Sequence, residues 1–405
     1  MNHIQNSFQP ANTVTDVTDV AIDRTGSTRH FPTITALIES TEMDGPVFCF
    51  SNTNATEIVR RFRAGFPGKT SFAVKACPLP ELIRQLYADG VDTFDVASPV
   101  EMQLVRAAAP GATLNYHNPI RSMAENRFAL DQAGCRRFAV DDALTLDNLL
   151  AITDDPTKLE IIVRIGIPRQ TGAYDFSTKF GAHDHEVPGL LGKIKGHGAK
   201  VGITFHPGSQ CTNPSAYSDL IAYSAELAKR SGITLDILNV GGGFPADYVG
   251  AEAPELETYF ADIKTAFNTH FDSQLTQLEC EPGRALAAPT ISLLVPVKHR
   301  RPEGPIFLAD GVFGALMEMV YAPIIYPHQA WRGPNLLNGP LQPVQAFGPT
   351  CDPLDTFPHQ LMLPEDIAAG DLVEFGLVGG YGPSTPTRFN GYGNIPVVNV
   401  ARIFR

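Results

Sequence analysis

The sequence predicts a (β/α)8 barrel followed by a mainly β domain, and three observations carry that prediction. Eight β-rich runs alternate with helical stretches between residues 70 and 281. After Arg284 the alternation stops, and strand-like runs are separated by Gly/Pro-rich connections without long helices. The unusual polar residues of the first part gather at the C-terminal ends of its runs, the rim on which a barrel builds its active site.

Taken in order, residues 1–30 are polar with little periodicity and read as a flexible arm. A regular alternation begins after Val47-Phe48-Cys49-Phe50. The β-rich runs fall at 70–76, 93–97, 112–117, 137–141, 159–166, 200–206, 236–241 and 275–281. Helical stretches lie at 79–90, 99–109, 143–153, 213–231 and 254–270. An open doubly wound sheet is the competing arrangement for such a pattern. Four later runs, at 290–298, 305–309, 371–376 and 395–403, form the second domain.

Composition narrows the function. With 43% hydrophobic and 18% charged residues in 405, the chain reads as a soluble globular protein. Its net charge of -12 repels phosphate backbones and argues against nucleic acid as a partner. No apolar stretch reaches the ~20 residues that cross a bilayer, and the start lacks the basic and apolar regions of a secretory signal. Six cysteines are scattered without a CxxC pair or zinc-like spacing, which suits reduced thiols in a cytoplasmic protein and no metal site.

Chemistry is concentrated at the ends of the runs. Lys75 closes the first, Asp95 lies in the second, Arg164 in the fifth, and His206 ends the sixth. Gly241-Gly242-Gly243 follow the seventh, and Glu281 ends the eighth, before Pro282-Gly283-Arg284. A strand in a core normally excludes lysine, because burying an unpaired ammonium is costly. The loops after strands seven and eight are the usual phosphate sites of such barrels. Glycines there let backbone N–H groups approach phosphate oxygens, and Ser209 adds a hydroxyl. A glycine triplet alone is most often a turn; beside this lysine it suggests a phosphorylated aldehyde cofactor. Lysine forms imines, and a carboxylate such as Glu281 facing a pyridine nitrogen keeps the ring a strong electron sink. His206 can stack on that ring, although an isolated histidine of this kind is more often a satisfied core residue.

The stretches FAVKAC (72–77), FDVASPVE (94–101), HPGSQC (206–211), NVGGGFP (239–245), ECEPGR (279–284), GPTCDPLD (348–355) and RFNGY (388–392) closely resemble the eukaryotic-type ornithine decarboxylases, fold-type III pyridoxal-phosphate (PLP) enzymes. The resemblance runs in order from about residue 45 to the C-terminus. It implies an alanine-racemase-like barrel over 52–285 and a β domain over 286–405. That β domain also takes a strand near Val47–Ser51 from segment 31–51. Lys75 then holds PLP as a Schiff base, Glu281 faces the ring nitrogen and His206 stacks on the ring. Ser209, Gly242, Gly243, Gly283, Arg284 and Tyr381 hold the phosphate, while Asp95, Glu101 and Arg164 support them. Family members are head-to-tail homodimers with active sites at the interface. Cys351 is implied to reach the partner's cofactor and reprotonate the carbanion. Asp352, Tyr321 and Phe389 are implied to contact the substrate. The bland readings are ion-pair scaffolding for Asp95, Glu101 and Arg164, an inert buried thiol for Cys351, and simple packing for Tyr381.

One departure bears on the substrate. The family carries an aspartate directly after the tyrosine matching Tyr321, where this chain has Ala322. A distal ammonium losing one charge-assisted contact forfeits about 1.5–3 kcal/mol, or about 10–150-fold. Glu318 or Asp352 are the candidates to compensate. The resemblance therefore implies PLP-dependent decarboxylation of a basic L-amino acid, L-ornithine to putrescine or a close analogue. The alternatives are a modified or bulkier amino acid, an inactive regulatory homologue, and a racemase or PLP carrier.

Overall fold

The computed structural model describes residues 29–167, 179–251, 253–302, 304–322 and 324–405. The expected arm lies almost wholly outside them. The first part is a closed parallel barrel. Its first strand is broken at Ser71 into Lys69–Thr70 and Phe72–Ala73. The front half pairs with the eighth strand, Gln277–Cys280 (Cys280 beside Thr70), and the back half with the second, Thr93–Val96 (Phe72 beside Phe94). Between them run Thr113–Tyr116, Arg137–Val140, Glu160–Arg164, Lys200–Thr204 and Ile237–Asn239, each parallel to its neighbours. The circle closes because Ser71 turns inward on its neighbour. Its N–H and its hydroxyl both donate to the Cys280 carbonyl, at 2.9 and 3.1 Å.

Alternation along each strand explains both faces. Phe94, Leu114, Phe138, Ile161, Val163, Ile203 and Leu278 point outward into the main core beneath the helices. The inward positions hold a small apolar layer of Ala139, Ile162 and Ile237, closed over Gly202. They also hold an ion-paired Arg137, which binds Glu279 and, at 2.8 Å, Glu160. The barrel interior is thus more polar than the branched aliphatic filling usual for this fold.

The five expected helices are present, slightly shorter than the helical stretches. Among the others that escaped the pattern are Asn52–Gly65, Met123–Arg127 with its continuation Phe128–Gln132, and Val187–Gly196. Ser51, Ser98, Ser122 and Asp142 cap their helices through side-chain oxygens. The strands are shorter than the β-rich runs, and this matters at the rim. Lys75 lies in a 3-10 turn, Val74–Ala76, rather than in strand one, and His206 sits two residues beyond strand six.

The second part is a mixed sheet around the long strand Ile291–Arg300. Val47–Phe50 joins it antiparallel, as expected, with Ile291 beside Phe50. A further strand from the N-terminal segment, His30–Thr33, adds to the edge beside Val397–Arg402. On the other side of the long strand lie Leu372–Phe375 and His328–Arg332. Glu374 is fully buried there, yet accepts hydrogen bonds from Ser292, Gln329, Trp331 and the Phe404 N–H, which satisfy both its oxygens. Among the described residues, no helix is long and apolar enough to cross a membrane.

Candidate active site

A cavity of about 200 Å³ opens at the C-terminal rim of the barrel, lined among others by Lys75, Asp95, His117, Arg164, His206 and Glu281. Five of these are the polar strand-end residues of the sequence. Lys75 corrects one expectation: it is exposed rather than buried. Its turn is held from the β domain instead. Ser384 Oγ donates to the Lys75 carbonyl at 2.9 Å, and the Tyr381 N–H to the Ala76 carbonyl at 2.7 Å.

In the same cavity, Glu281 follows strand eight directly and is nearly buried. Burial alone would raise its carboxyl. His117, hydrogen-bonded through Nδ1 to Oε1, and Asn239, donating to the same oxygen at 2.5 Å, outweigh that and hold it below the usual carboxylate range. Asp95 Oδ1 lies 3.6 Å from His117 Nδ1. Burial, then the nearby Glu281 charge, push Asp95 up to about 7. His206 is the neutral partner of the set. Burial, with Lys75 and Arg164 nearby, lowers it to about 3, and the Gly208 N–H donates to its Nδ1 at 3.1 Å. Arg164 places its guanidinium 4.7 Å over the Phe180 ring, and its own burial lowers it.

The third component is a donor cluster beside the cavity. Arg284 is buried, with Nη2 3.1 Å from Ser209 Oγ and Nη1 2.9 Å from the Tyr248 hydroxyl. Its guanidinium lies 4.9 Å from the Tyr381 ring centre, and Tyr381 itself is held at φ +70, a costly conformation for a tyrosine. Gly242 and Gly243 bring their loop against its neighbours. A Cβ on Gly242 would lie 2.8 Å from the Glu281 carbonyl, and one on Gly243 would lie 2.5 Å from the Gly208 carbonyl. Gly283 serves packing, its space being taken by Ala76 and Ala73.

Other site residues expected from the sequence stand apart from this cavity. Glu101 is the third residue of its helix and accepts from the Ala97 N–H at 2.7 Å, and it lies near enough to interact electrostatically with Lys75 and Asp95. Cys351 is exposed, not buried, on a β-domain loop, its N–H donating to Asn390 Oδ1 at 3.1 Å; Asp352 follows it. Phe389 stacks on Phe313, and Tyr321 ends the short helix Glu318–Tyr321 half exposed. Glu318 does not replace the missing aspartate, because both its oxygens are bound to Arg284. His117 went unrecognised in the sequence, although it directly follows strand three as Glu281 follows strand eight. Asn239 was detectable by its inward register with Glu281. Tyr248 and Ser384 carried no local signal.

These residues fit one kind of group. An exposed lysine, an acid held ionised in the same cavity, a neutral imidazole, and a buried Arg–Ser cluster beside a tight glycine loop suit PLP. The fold and site define a PLP-dependent enzyme. The chain belongs to the pyridoxal-dependent decarboxylase family: residues 54–288 match its pyridoxal binding domain and residues 285–379 its C-terminal sheet domain. It is 30% identical over 337 residues to the lysine/ornithine decarboxylase of Selenomonas ruminantium, spanning 81% of this chain and 82% of that one. The lysine/ornithine decarboxylase of Vibrio vulnificus, crystallised with cadaverine, superimposes with a TM-score of 0.78 at 28% identity, over 90% of this chain and 98% of that one. The arginine decarboxylase of Paramecium bursaria Chlorella virus does so with a TM-score of 0.80 at 26% identity and the same coverage.

Proposed function

We propose that this chain is a cytoplasmic homodimeric decarboxylase of a basic L-amino acid, with L-ornithine, giving putrescine, as the first substrate. The observation that carries the reading is that one cavity is lined both by Lys75 and by a carboxylate, Glu281, that its neighbours keep ionised. PLP, when bound, supplies an aldehyde for the amino group and a sink for the electron pair released with CO2. Lys75 would provide the anchoring amine, and Glu281, held ionised, would keep a proton on the ring nitrogen. His206, held neutral, would meet the ring without adding charge. Ser209, Arg284, Gly243 and Tyr381 would hold the phosphate, and Asp95 and Arg164 would set the field around Glu281.

The proton that replaces CO2 comes from Cys351 of a second copy. Within its own chain Cys351 lies outside the Lys75 cavity, on an exposed loop. Free thiols throughout the described chain suit a reducing compartment. At the distal end of the substrate, the buried Ala322 offers a methyl group, so Asp352 of the second copy is left to meet the ammonium. That small side chain also favours a second reading, a bulkier or modified basic amino acid. Release of CO2 from ornithine, lysine, arginine and their modified forms, with identification of the amine product, decides between them. Turnover of none of the free basic amino acids sinks the first reading.

A further inference from the structure

We infer that His117 is a positioning residue for Glu281: it commits one carboxylate oxygen and leaves the other facing the cofactor's ring nitrogen. The inference rests on the proposed pairing of Glu281 with that nitrogen.

His117 follows strand three, Thr113–Tyr116, and shares the inward register of Asn115. It is 7% exposed. Its Nδ1 is hydrogen-bonded to Glu281 Oε1, and Asn239 Nδ2 donates to the same oxygen. Oε2 takes no hydrogen bond from the described residues, and Glu281 lines the cavity. Two donors on one oxygen fix the rotation of the carboxylate and stabilise its charged form. The remaining acceptor then points one way.

Charge makes the arrangement necessary. Asp95 on strand two and Glu281 after strand eight converge, so their ligand atoms and that of His117 lie within 4.8 Å of one another. Two carboxylates so close in a buried site do not both ionise readily. The imidazole Nδ1 lies between them, nearer Glu281, and favours ionisation there. The other groups acting on this set include Lys75 and Glu101, which act on Asp95, Arg137 from strand four, which opposes a charge on His117, His206, which acts on Glu281, and Arg164 from strand five.

A purely structural histidine fits the site poorly. Nε2 of His117 is buried with no hydrogen-bond partner among the described residues, a cost that an aliphatic or aromatic side chain would avoid. What the imidazole contributes is its Nδ1.

The test compares wild type, His117→Leu, His117→Asn and Glu281→Gln, each loaded with PLP labelled with ¹⁵N in the ring. Asparagine keeps an N–H donor at the Nδ1 position. In the wild type the ring-nitrogen resonance reports a protonated pyridine across neutral pH. His117→Leu shifts it towards the unprotonated form and weakens PLP binding by about 10-fold, the loss expected for one charge-assisted hydrogen bond; His117→Asn restores both. A ring nitrogen as fully protonated in His117→Leu as in wild type overturns the inference. If Glu281→Gln also leaves it unchanged, the pairing of Glu281 with the ring fails; if only Glu281→Gln changes it, that pairing stands and His117 alone is wrong. Should His117→Leu not fold, the wild-type apoprotein still decides: a downfield His117 Nδ1 proton supports the hydrogen bond to Glu281, and a deprotonated Nδ1 overturns the inference.

Discussion

Glu318 grips Arg284 end-on, Oε1 accepting from Nη2 at 2.6 Å and Oε2 from Nη1 at 2.7 Å, with both side chains buried. Tyr248 takes a second bond from Nη1, and Ser209 lies along the Nε–Nη2 edge, 3.4 and 3.1 Å from those atoms. The guanidinium is therefore fixed in place, with its free edge turned to Ser209. The same pairing neutralises it, so a phosphate arriving at Ser209 meets oriented donors rather than an uncompensated positive charge.

Removing one partner of such a pair leaves a buried charge alone. Glu318→Ala is expected to destabilise the apoprotein by about 3–5 kcal/mol. The vacated guanidinium should then gain more from an anion. The rise in Tm on adding inorganic phosphate or PLP is expected to be larger for Glu318→Ala than for wild type. Equal rises in calorimetry would show that Arg284 does not face the phosphate.

The glycine loop gives a prediction with an internal control. Gly241 and Gly232 adopt nearly the same left-handed conformation, φ +68 and +67. A Cβ on Gly232, at the end of helix Ser215–Ser231, meets nothing within 4 Å, whereas one on Gly241 would lie 2.0 Å from the Phe205 carbonyl. Gly232→Ala should lose only the roughly 1–2 kcal/mol of the conformation itself and keep full cofactor binding. Gly241→Ala must push apart the loops that carry His206 and Gly243, and should lose PLP affinity measured by equilibrium dialysis. Unchanged affinity in Gly241→Ala would detach this loop from the cofactor.

His206 provides a dependence on pH. Its folded-state value is depressed from 6.5 to about 3 by burial first, then by Lys75 and Arg164. Between those values the unfolded chain binds the proton and the folded one does not. The stability linked to His206 is thus complete above pH 6.5 and is lost as pH falls towards 3, with an upper bound of roughly 5 kcal/mol that its partial exposure to the cavity reduces. Denaturant melts of the apoprotein at pH 7.5 and pH 4.5 should show a smaller loss for His206→Asn than for wild type. An equal or greater loss would mean that the imidazole is protonated in the folded state.

Legibility in the sequence followed locality. Several strands announced themselves because their outward sets, such as Phe94 with Val96 or Leu114 with Tyr116, alternate with polar inward residues such as Asp95 and Asn115. The helix Asn52–Gly65 did not, since charged residues such as Glu57, Arg60, Arg61 and Arg63 crowd between its buried positions and mask the apolar stripe. At the site, Lys75, His206 and Glu281 were visible as polar residues at the rim. Whether Lys75 is buried was not, because its turn is set by Tyr381 and Ser384, three hundred residues away in the chain. Glu318 was visible as an acid near Tyr321, but its role depends on Arg284 reaching it across the two parts of the fold.

The loop bearing Cys351 yields the prediction that tests assembly and site together. Cys351 N–H to Asn390 ties this loop to the one carrying Phe389, and Leu354, Val320, Tyr321 and Phe389 are 74%, 61%, 49% and 40% exposed. Such apolar exposure is what a surface covered by another chain would show. If that chain is a second copy whose cofactor Cys351 reaches, Lys75→Ala and Cys351→Ala are each inactive alone but complement one another. A mixed dimer holds one site made of an intact Lys75 from one chain and an intact Cys351 from the other. Activity should return on mixing the two variants under conditions that allow subunit exchange, and should disappear on dilution below the dimer dissociation constant. Two variants that stay inactive after verified exchange would place both residues in the same chain's site, which the separation of Cys351 from the Lys75 cavity speaks against.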